Sequence, residues 1–230
     1  MENLLRDYMD RAFSERGIEK LSSPGPVITI SREFGCPSKL IAQKLASELN
    51  RLDDSVKPKK WRFINKEVVE ATARRLELNP TDVNFLLNSG GKGIIEDVLA
   101  SFTTTYVSNH RMRKTVSMVV RSIADQGYVI IVGRGGVGIL QRYPNTLHIR
   151  LQAPQEWRIS EISKTRNLST LEASRMVAEM DKKRTAFIEM MTGGKFHPYL
   201  FDISFNCGSL AIEEIVGTII GLMETKKMIG

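Results

Sequence analysis

Residues 27–46 constrain the chain more than any other stretch, because they join a β-branched run, a Gly/Pro loop and a helical stripe in that order. Val27, Ile28, Thr29 and Ile30 suit a short buried parallel strand, and Gly35 and Pro37 punctuate the loop that follows. From residue 40 to 49 the spacing predicts a helix: Ile41, Leu45 and Leu49 recur at i, i+4, i+8 with Ala42 and Ala46 beside them, while Gln43, Lys44, Ser47 and Glu48 can face water. A loop between a buried strand and a helix start presents backbone N–H groups and the positive end of the helix dipole, which together suit a phosphate. Gly35, Cys36, Pro37, Ser38, Lys39 and Leu40 are therefore candidate phosphate-binding residues, with Lys39 as a movable cation. The pattern G-x-x-x-x-G-K-[ST] needs Lys directly after its second Gly and then a hydroxyl for magnesium, whereas Ser38, Lys39 and Leu40 stand here. The same residues also read as an ordinary strand-to-helix turn of an α/β protein.

At 230 residues and 42% hydrophobic, the chain has material for one sizeable core with an inserted or appended subdomain. No apolar run approaches the roughly 20 residues of a membrane span, and the start is not laid out as a signal peptide, so a cytoplasmic protein without membrane contact is expected. Two cysteines, Cys36 and Cys207, make no disulfide framework, and His110, His148 and His197 lack ligand spacing, so no structural metal is expected. The net charge of +7 favours an anionic partner. With 7% aromatics and no zinc-finger spacing, RNA-binding strand motif or basic tail, nucleic acid is disfavoured and small phosphates suit the scattered arginines better.

An apolar stripe of Leu4, Leu5, Tyr8, Met9, Ala12 and Phe13 predicts an appended helix, and residues 22–26 a linker; that helix can pack on its own domain or form a homodimer contact. Residues 61–64 can form a second strand, and residues 66–126 read as a helical insertion in which Val116, Val119, Val120 and Ile123 mark the last helix, stopped by Gly127. Residues 128–132 are the most strand-like run. The glycines 133, 135 and 138 after it match G-x-G-x-x-G, but no full helix and no acidic residue at the next strand's end follow, so a dinucleotide fold is not expected. Arg134 in that turn suits an anion at the sheet's binding edge.

Residues 146–151 predict a further strand, and a helix from about Gln155 to Arg166 carries Arg158. Ser169 and Glu172 form a capping box that opens a long helix running to about Met191 before Gly193. Arg158, Lys164, Arg166, Arg175, Lys182, Lys183 and Arg184 give this hairpin either a solvated basic face or a lid that brings arginines onto phosphates, and Asp181 with Arg184 has the spacing of a local ion pair. A last strand near residues 202–207 and an amphipathic helix through Ile212, Ile215, Val216, Ile219 and Met223 complete an α/β protein: a parallel sheet with helices on both faces.

Residues 28–35, 132–135, 164–169 and 181–184 carry, in order, four motifs that resemble the cytidylate kinase-like family of P-loop nucleoside monophosphate kinases. The resemblance covers nearly all of residues 25–224 and implies a P-loop NTPase-type sheet, a substrate-binding insertion over residues 66–126, a lid over residues 155–195, and transfer of the ATP γ-phosphoryl to CMP, dCMP or a related nucleotide. It implies that residues 35–40 hold ATP, that Arg32, Arg134 and Gly135 hold the acceptor, and that Lys39, Arg158, Arg166, Asp181 and Arg184 serve catalysis. Magnesium would be held mainly by phosphates and water, since Leu40 lacks a hydroxyl, Asn65 stands where the family commonly has Asp, and no Asp ends the strand at Val132. The departures at Pro37 and Ser38 motivate the alternative of a catalytically impaired nucleotide-binding regulator with the same fold. Cys36 is then either a thiolate at a helix N-terminus or a small loop filler.

Overall fold

The computed structural model describes residues 25–53, 60–64 and 109–229. The expected N-terminal helix and its homodimer contact, residues 22–24 of the linker, Asn65, and the insertion before residue 109 lie outside the described residues. The chain divides into two compact units, Pro26–Phe63 with Tyr128–Gly230 and Met1–Gly25 with Ile64–Gly127.

Five strands form one sheet in the order β2-β3-β1-β4-β5. They are β1 Val27–Arg32, β2 Arg62–Ile64, β3 Val129–Val132, β4 Thr146–Gln152 and β5 Ile203–Asn206. β1 is parallel to β3, with Ile28 opposite Ile130, and to β4, with Ile28 opposite Leu147. β4 is parallel to β5. A run buried on both faces belongs in the middle of such a sheet, and β1 stands there.

Helix α1, Ser38–Leu52, buries the predicted stripe of Ile41, Ala42, Leu45, Ala46 and Leu49. That stripe shares a core with Ile28, Ile30, Ile130, Leu147, Ile149 and Leu151 of the sheet and with Ile215, Val216, Ile219 and Met223. The second unit contains α2, Asn109–Ala124, with Val116, Val119, Val120 and Ile123 buried as their spacing requires. A four-residue helix, α3, Gly136–Ile139, follows β3, so the glycine run opens no dinucleotide-type helix. Helices α4, Gln155–Arg166, and α5, Thr170–Thr192, form the expected hairpin. Asn167 closes α4 in the left-handed region, the Ser169–Glu172 capping box opens α5, and Gly193 ends it. Helix α6, Ile212–Thr225, completes the chain order.

The chain leaves β1 toward the β2 edge and leaves β4 toward the β5 edge. In open α/β sheets ligands bind outside the carboxyl ends of strands where connections part in this way. The loops after β1, β3, β4 and β5 all open there.

On the other sheet face the Thr29 hydroxyl and His148 Nδ1 meet at 2.7 Å, both side chains buried. Burial holds the His148 pKa below its ordinary value, against the opposing pull of Asp202 and a bond to the Leu140 backbone. A lowered folded pKa means that the unfolded chain binds the proton more readily, so this group favours folding fully above about pH 6.5 and loses that contribution as pH falls toward the folded value. Denaturant midpoints measured from pH 7.5 down to 5 should decline, and His148→Gln should flatten the decline; parallel slopes would remove His148 from the acid sensitivity.

Candidate functional site

The β1–α1 loop is held by charge on one side and by an aromatic plug on the other. Glu33, half-buried, accepts from Arg150 Nη2 at 3.0 Å and from the Ala153 amide at 3.2 Å. Its Oε2 also lies 3.3 Å from Arg158 Nε. Arg158, only 6% exposed, donates to the carbonyls of Ala153 at 3.0 Å and Phe34 at 3.1 Å, and to Asp181 Oδ2 at 2.5 Å. Asp181 uses its other oxygen to accept the Phe34 amide at 2.7 Å. A buried guanidinium is tolerable when carboxylates and carbonyls surround it in this way.

The Phe34 ring enters the small core of the hairpin, among Ile162, Ala173 and Val177. The Arg166 and Arg184 guanidiniums each lie 5.1 Å from the ring centroid, within cation–π range. Gly35 follows with φ +100°, and a Cβ there would come within 3.0 Å of Arg158 Cβ. Glycine lets the loop pass close over α4 at this point.

The loop amides are largely committed. The Phe34 N–H goes to Asp181, the Cys36 N–H to the Glu33 carbonyl at 3.3 Å and the Ser38 N–H to the Cys36 carbonyl at 2.8 Å. Pro37 has no N–H. Among the described residues this leaves the amides of Gly35 and of Lys39 and Leu40, in the first turn of α1, to face a ligand. Ser38 is buried, whereas the side chains of Lys39 and Leu40 are exposed.

Beside the loop, arginines gather. Arg184 Nη1 donates to the Arg32 carbonyl at 3.2 Å. Gly133, at φ +74°, makes room for the Arg32 guanidinium, since a Cβ there would lie 2.0 Å from Arg32 Nη1. Burial, then repulsion from Arg184 and Arg134, pushes Arg32 well below its ordinary pKa. Arg184 is pushed down to about 10, by burial first, against the pull of Asp181, and stays charged at neutral pH. No carboxylate pairs with Arg32 among the described residues, so an anion beside Arg32 would relieve the repulsion it meets from Arg184 and Arg134. Gly135 is buried at φ +65° against Met191 and Phe187 of α5, which ties the Arg134 turn to the hairpin.

On the β5 side lie the half-buried Cys36 and the buried Cys207. The neighbouring Cys207 thiol, then burial, pushes the Cys36 pKa up, while Cys36 in turn pulls Cys207 down. Cys36 therefore sits in its loop as a protonated, packed thiol.

Of the residues singled out from sequence, Arg32, Gly35, Cys36, Arg134, Gly135, Arg158, Asp181 and Arg184 come together at the carboxyl edge of the sheet. Lys39, Leu40 and Arg166 stand exposed at its rim. Asp181 bonds across to α4 and the loop rather than serving only as a local partner of Arg184. Glu33, Phe34 and Cys207 were not singled out, although Glu33 and Phe34 lie inside the motif that carried the resemblance.

Among the described residues no helix is long and apolar enough to cross a membrane. No curated protein matches the sequence. A solved structure of an uncharacterised protein from Eubacterium ventriosum is similar at 21% identity and a TM-score of 0.60, covering 87% of this chain and 98% of that one. A shikimate kinase structure from Bacteroides thetaiotaomicron aligns over 86% of this chain and 98% of its own at 14% identity and a TM-score of 0.49, too loosely to carry an argument. A model of the cytidylate kinase-like family matches residues 27–209, from the first strand of the sheet through the loop after the last. With that match over most of its length, the chain belongs to the cytidylate kinase-like family.

Proposed function

We propose that this chain is an ATP-dependent nucleotide kinase that transfers the γ-phosphoryl group of ATP to CMP, dCMP or a related nucleoside monophosphate. The observation that carries this is that Arg184 and Arg134 both stand near enough to the Arg32 guanidinium, at the carboxyl edge of the sheet, to repel it, a repulsion that a bound anion would offset. Family membership supports a kinase-like function at the coarser level.

Phosphoryl transfer needs chiefly positioning and neutralisation of charge. An acceptor phosphate oxygen attacks the γ-phosphorus, the bond to the bridging oxygen breaks, and ADP leaves with that electron pair. In this reading Arg32 and Arg134, on the Gly135 turn, hold the acceptor phosphate, and Arg184 spans acceptor and transferring groups. The Gly35, Lys39 and Leu40 amides and the Lys39 ammonium meet the ATP phosphates. Arg158 and Asp181 set the loop's shape, and Arg166 stands at the rim to close over the phosphates. Magnesium fits the protein's own donors poorly: Leu40 has no hydroxyl, Asp181 is committed to Arg158 and the Phe34 amide, and the described residues hold no group of three His, Cys, Asp or Glu that could bind a metal ion. Phosphates and water would have to hold the ion.

The commitment of the Phe34 and Ser38 amides, with the missing N–H at Pro37, favours one second reading, a nucleotide-binding regulator without turnover. A coupled ADP-release screen of nucleoside monophosphates with ATP and Mg²⁺ separates the two. Calorimetric binding of ATP and CMP without product would select the regulator.

Arg134→Ala should impair acceptor use far more than ATP binding, by about 2 to 4 kcal/mol in transition-state stabilisation, because a guanidinium pairs bidentately with phosphate. Unchanged acceptor kinetics would take Arg134 out of the site. Lys39→Ala should keep the thermal midpoint, since the side chain is exposed, yet lower kcat/KM by about 10² or more through lost charge on the β/γ-phosphates. Wild-type turnover in that variant would refute the role given to Lys39.

A further inference from the structure

Phe34 stands just before the left-handed Gly35 of the β1–α1 loop, and its amide, carbonyl and ring are all taken by the hairpin. The amide donates to Asp181 Oδ1 at 2.7 Å, and the carbonyl accepts from Arg158 Nη1 at 3.1 Å. The ring, 6% exposed, packs with Ile162 of α4 and with Ala173 and Val177 of α5. With backbone and ring both fixed, the place of the ring's face is fixed as well. Over it lie the guanidiniums of Arg166 from α4 and Arg184 from α5, each 5.1 Å from the centroid. Neither has a carboxylate within ion-pair distance among the described residues, because Asp181 turns one oxygen to Arg158 and the other to the Phe34 amide. Asp181 pulls on Arg184 only from farther off. Arg166 Nη1 otherwise reaches the Met176 sulfur at 3.6 Å, and Arg184 Nη1 donates to the Arg32 carbonyl at 3.2 Å while its charge repels the Arg32 guanidinium. A carboxylate would hold these cations more firmly, but it would also occupy the donors that a phosphate needs. The negative face of a ring attracts a guanidinium without neutralising it.

We propose that Phe34 is a positioning residue for phosphoryl transfer: its ring holds the Arg166 and Arg184 guanidiniums beside the phosphate loop, charged and able to donate, before a phosphate arrives. This role rests on the kinase reading above, in which Arg184 spans the acceptor and transferring groups and Arg166 closes from the rim. The ring acts through the two arginines and does not itself meet substrate. An arginine already held near its working place gives up less side-chain freedom when it pairs with phosphate. The same residue also ties the loop to α4 and α5, so loop amides and hairpin cations reach ATP as one piece. Arginines that act where charge moves stabilise the transition state more than bound ATP. Loss of the ring should therefore lower kcat and kcat/KM together and leave the KM for ATP nearly as it was.

The test compares the full-length protein with Phe34→Leu, which keeps an apolar plug among Ile162, Ala173 and Val177 but has no π face. Should Phe34→Leu fail to fold, Phe34→Met, whose unbranched side chain adapts to the same core, takes its place. In the ligand-free protein the side-chain proton resonances of Arg166 and Arg184, assigned with Arg166→Lys and Arg184→Lys, should be shifted by the ring current and return to ordinary positions in the variant. With ATP and the acceptor found in the ADP-release screen, the variant should lose about tenfold in kcat, the scale of one or two cation–π contacts, with the KM for ATP within about twofold. Arg166→Gln should cost several-fold less activity in the Phe34→Leu background than in the wild type, because the two residues act as a unit. Absent ring-current shifts, a wild-type kcat in the folded variant, a raised KM with kcat kept, or strictly additive losses would each overturn the proposal. A wild-type protein that turns over no monophosphate overturns the kinase reading instead, and the ring-current measurement, which needs no turnover, still decides whether Phe34 holds the two arginines.

Discussion

The buried guanidinium of Arg158 is what the rest of the site depends on. It draws Glu33 from the loop, Asp181 from α5 and the carbonyls of Phe34 and Ala153 around a single positive charge. Desolvating that charge is costly, and the surrounding oxygens offset the cost only while all of them stay in place. Removing one carboxylate would leave charge uncompensated, so the β1–α1 loop, the β4–α4 connection and the hairpin hold one another in register. The local sequence leaves the shape of a Gly/Pro loop open; this tertiary network closes it.

Two sources of favourable energy are open to a protein that binds phosphate at a strand-to-helix turn: backbone amides and cationic side chains. This loop offers few of the first, because Phe34, Cys36 and Ser38 direct their N–H groups to protein acceptors and Pro37 has none. It is rich in the second, with Arg32, Arg134 and Arg184 crowded beside it and Lys39 at the rim. Guanidiniums bring charge and bidentate geometry, but their placement depends on the hairpin that carries Arg184 and on the turn that carries Arg134. On the proposed reading, phosphate recognition is thereby shifted from the loop itself to the elements packed around it.

The difference between what was legible in the sequence and what was not follows the range of the interactions. β1 and α1 were legible because burial period and loop punctuation are local: Ile41, Leu45 and Leu49 lie on the buried face that their spacing requires. The Ser169–Glu172 box and the Gly193 stop were legible for the same reason. For Asp181 the i, i+3 spacing offers only a local pair with Arg184; its partner Arg158 comes from the approach of α4, which spacing along one helix cannot show. The role of Glu33 was likewise hidden, because its partners Arg150 and Arg158 are brought near only by the sheet order. The arginines could be picked out by type and by turn position, but not which of them would be enclosed by carboxylates and which would crowd one another.

The double use of Asp181 has a consequence for motion of the hairpin. Its carboxylate holds both the Phe34 amide and the Arg158 guanidinium, a backbone donor and a cation, the two kinds of group that a phosphate oxygen would seek. An anion that takes the Phe34 N–H must displace Asp181, and Arg158 then either pairs with the anion or keeps only Glu33 and the Ala153 and Phe34 carbonyls around its buried charge. The loop therefore cannot gain that donor without moving α5, and α5 cannot move without pulling the Phe34 ring from among Ile162, Ala173 and Val177. Occupation of that amide and opening of the hairpin are one equilibrium. A ligand shifts it only by the difference between its own contacts in the two arrangements.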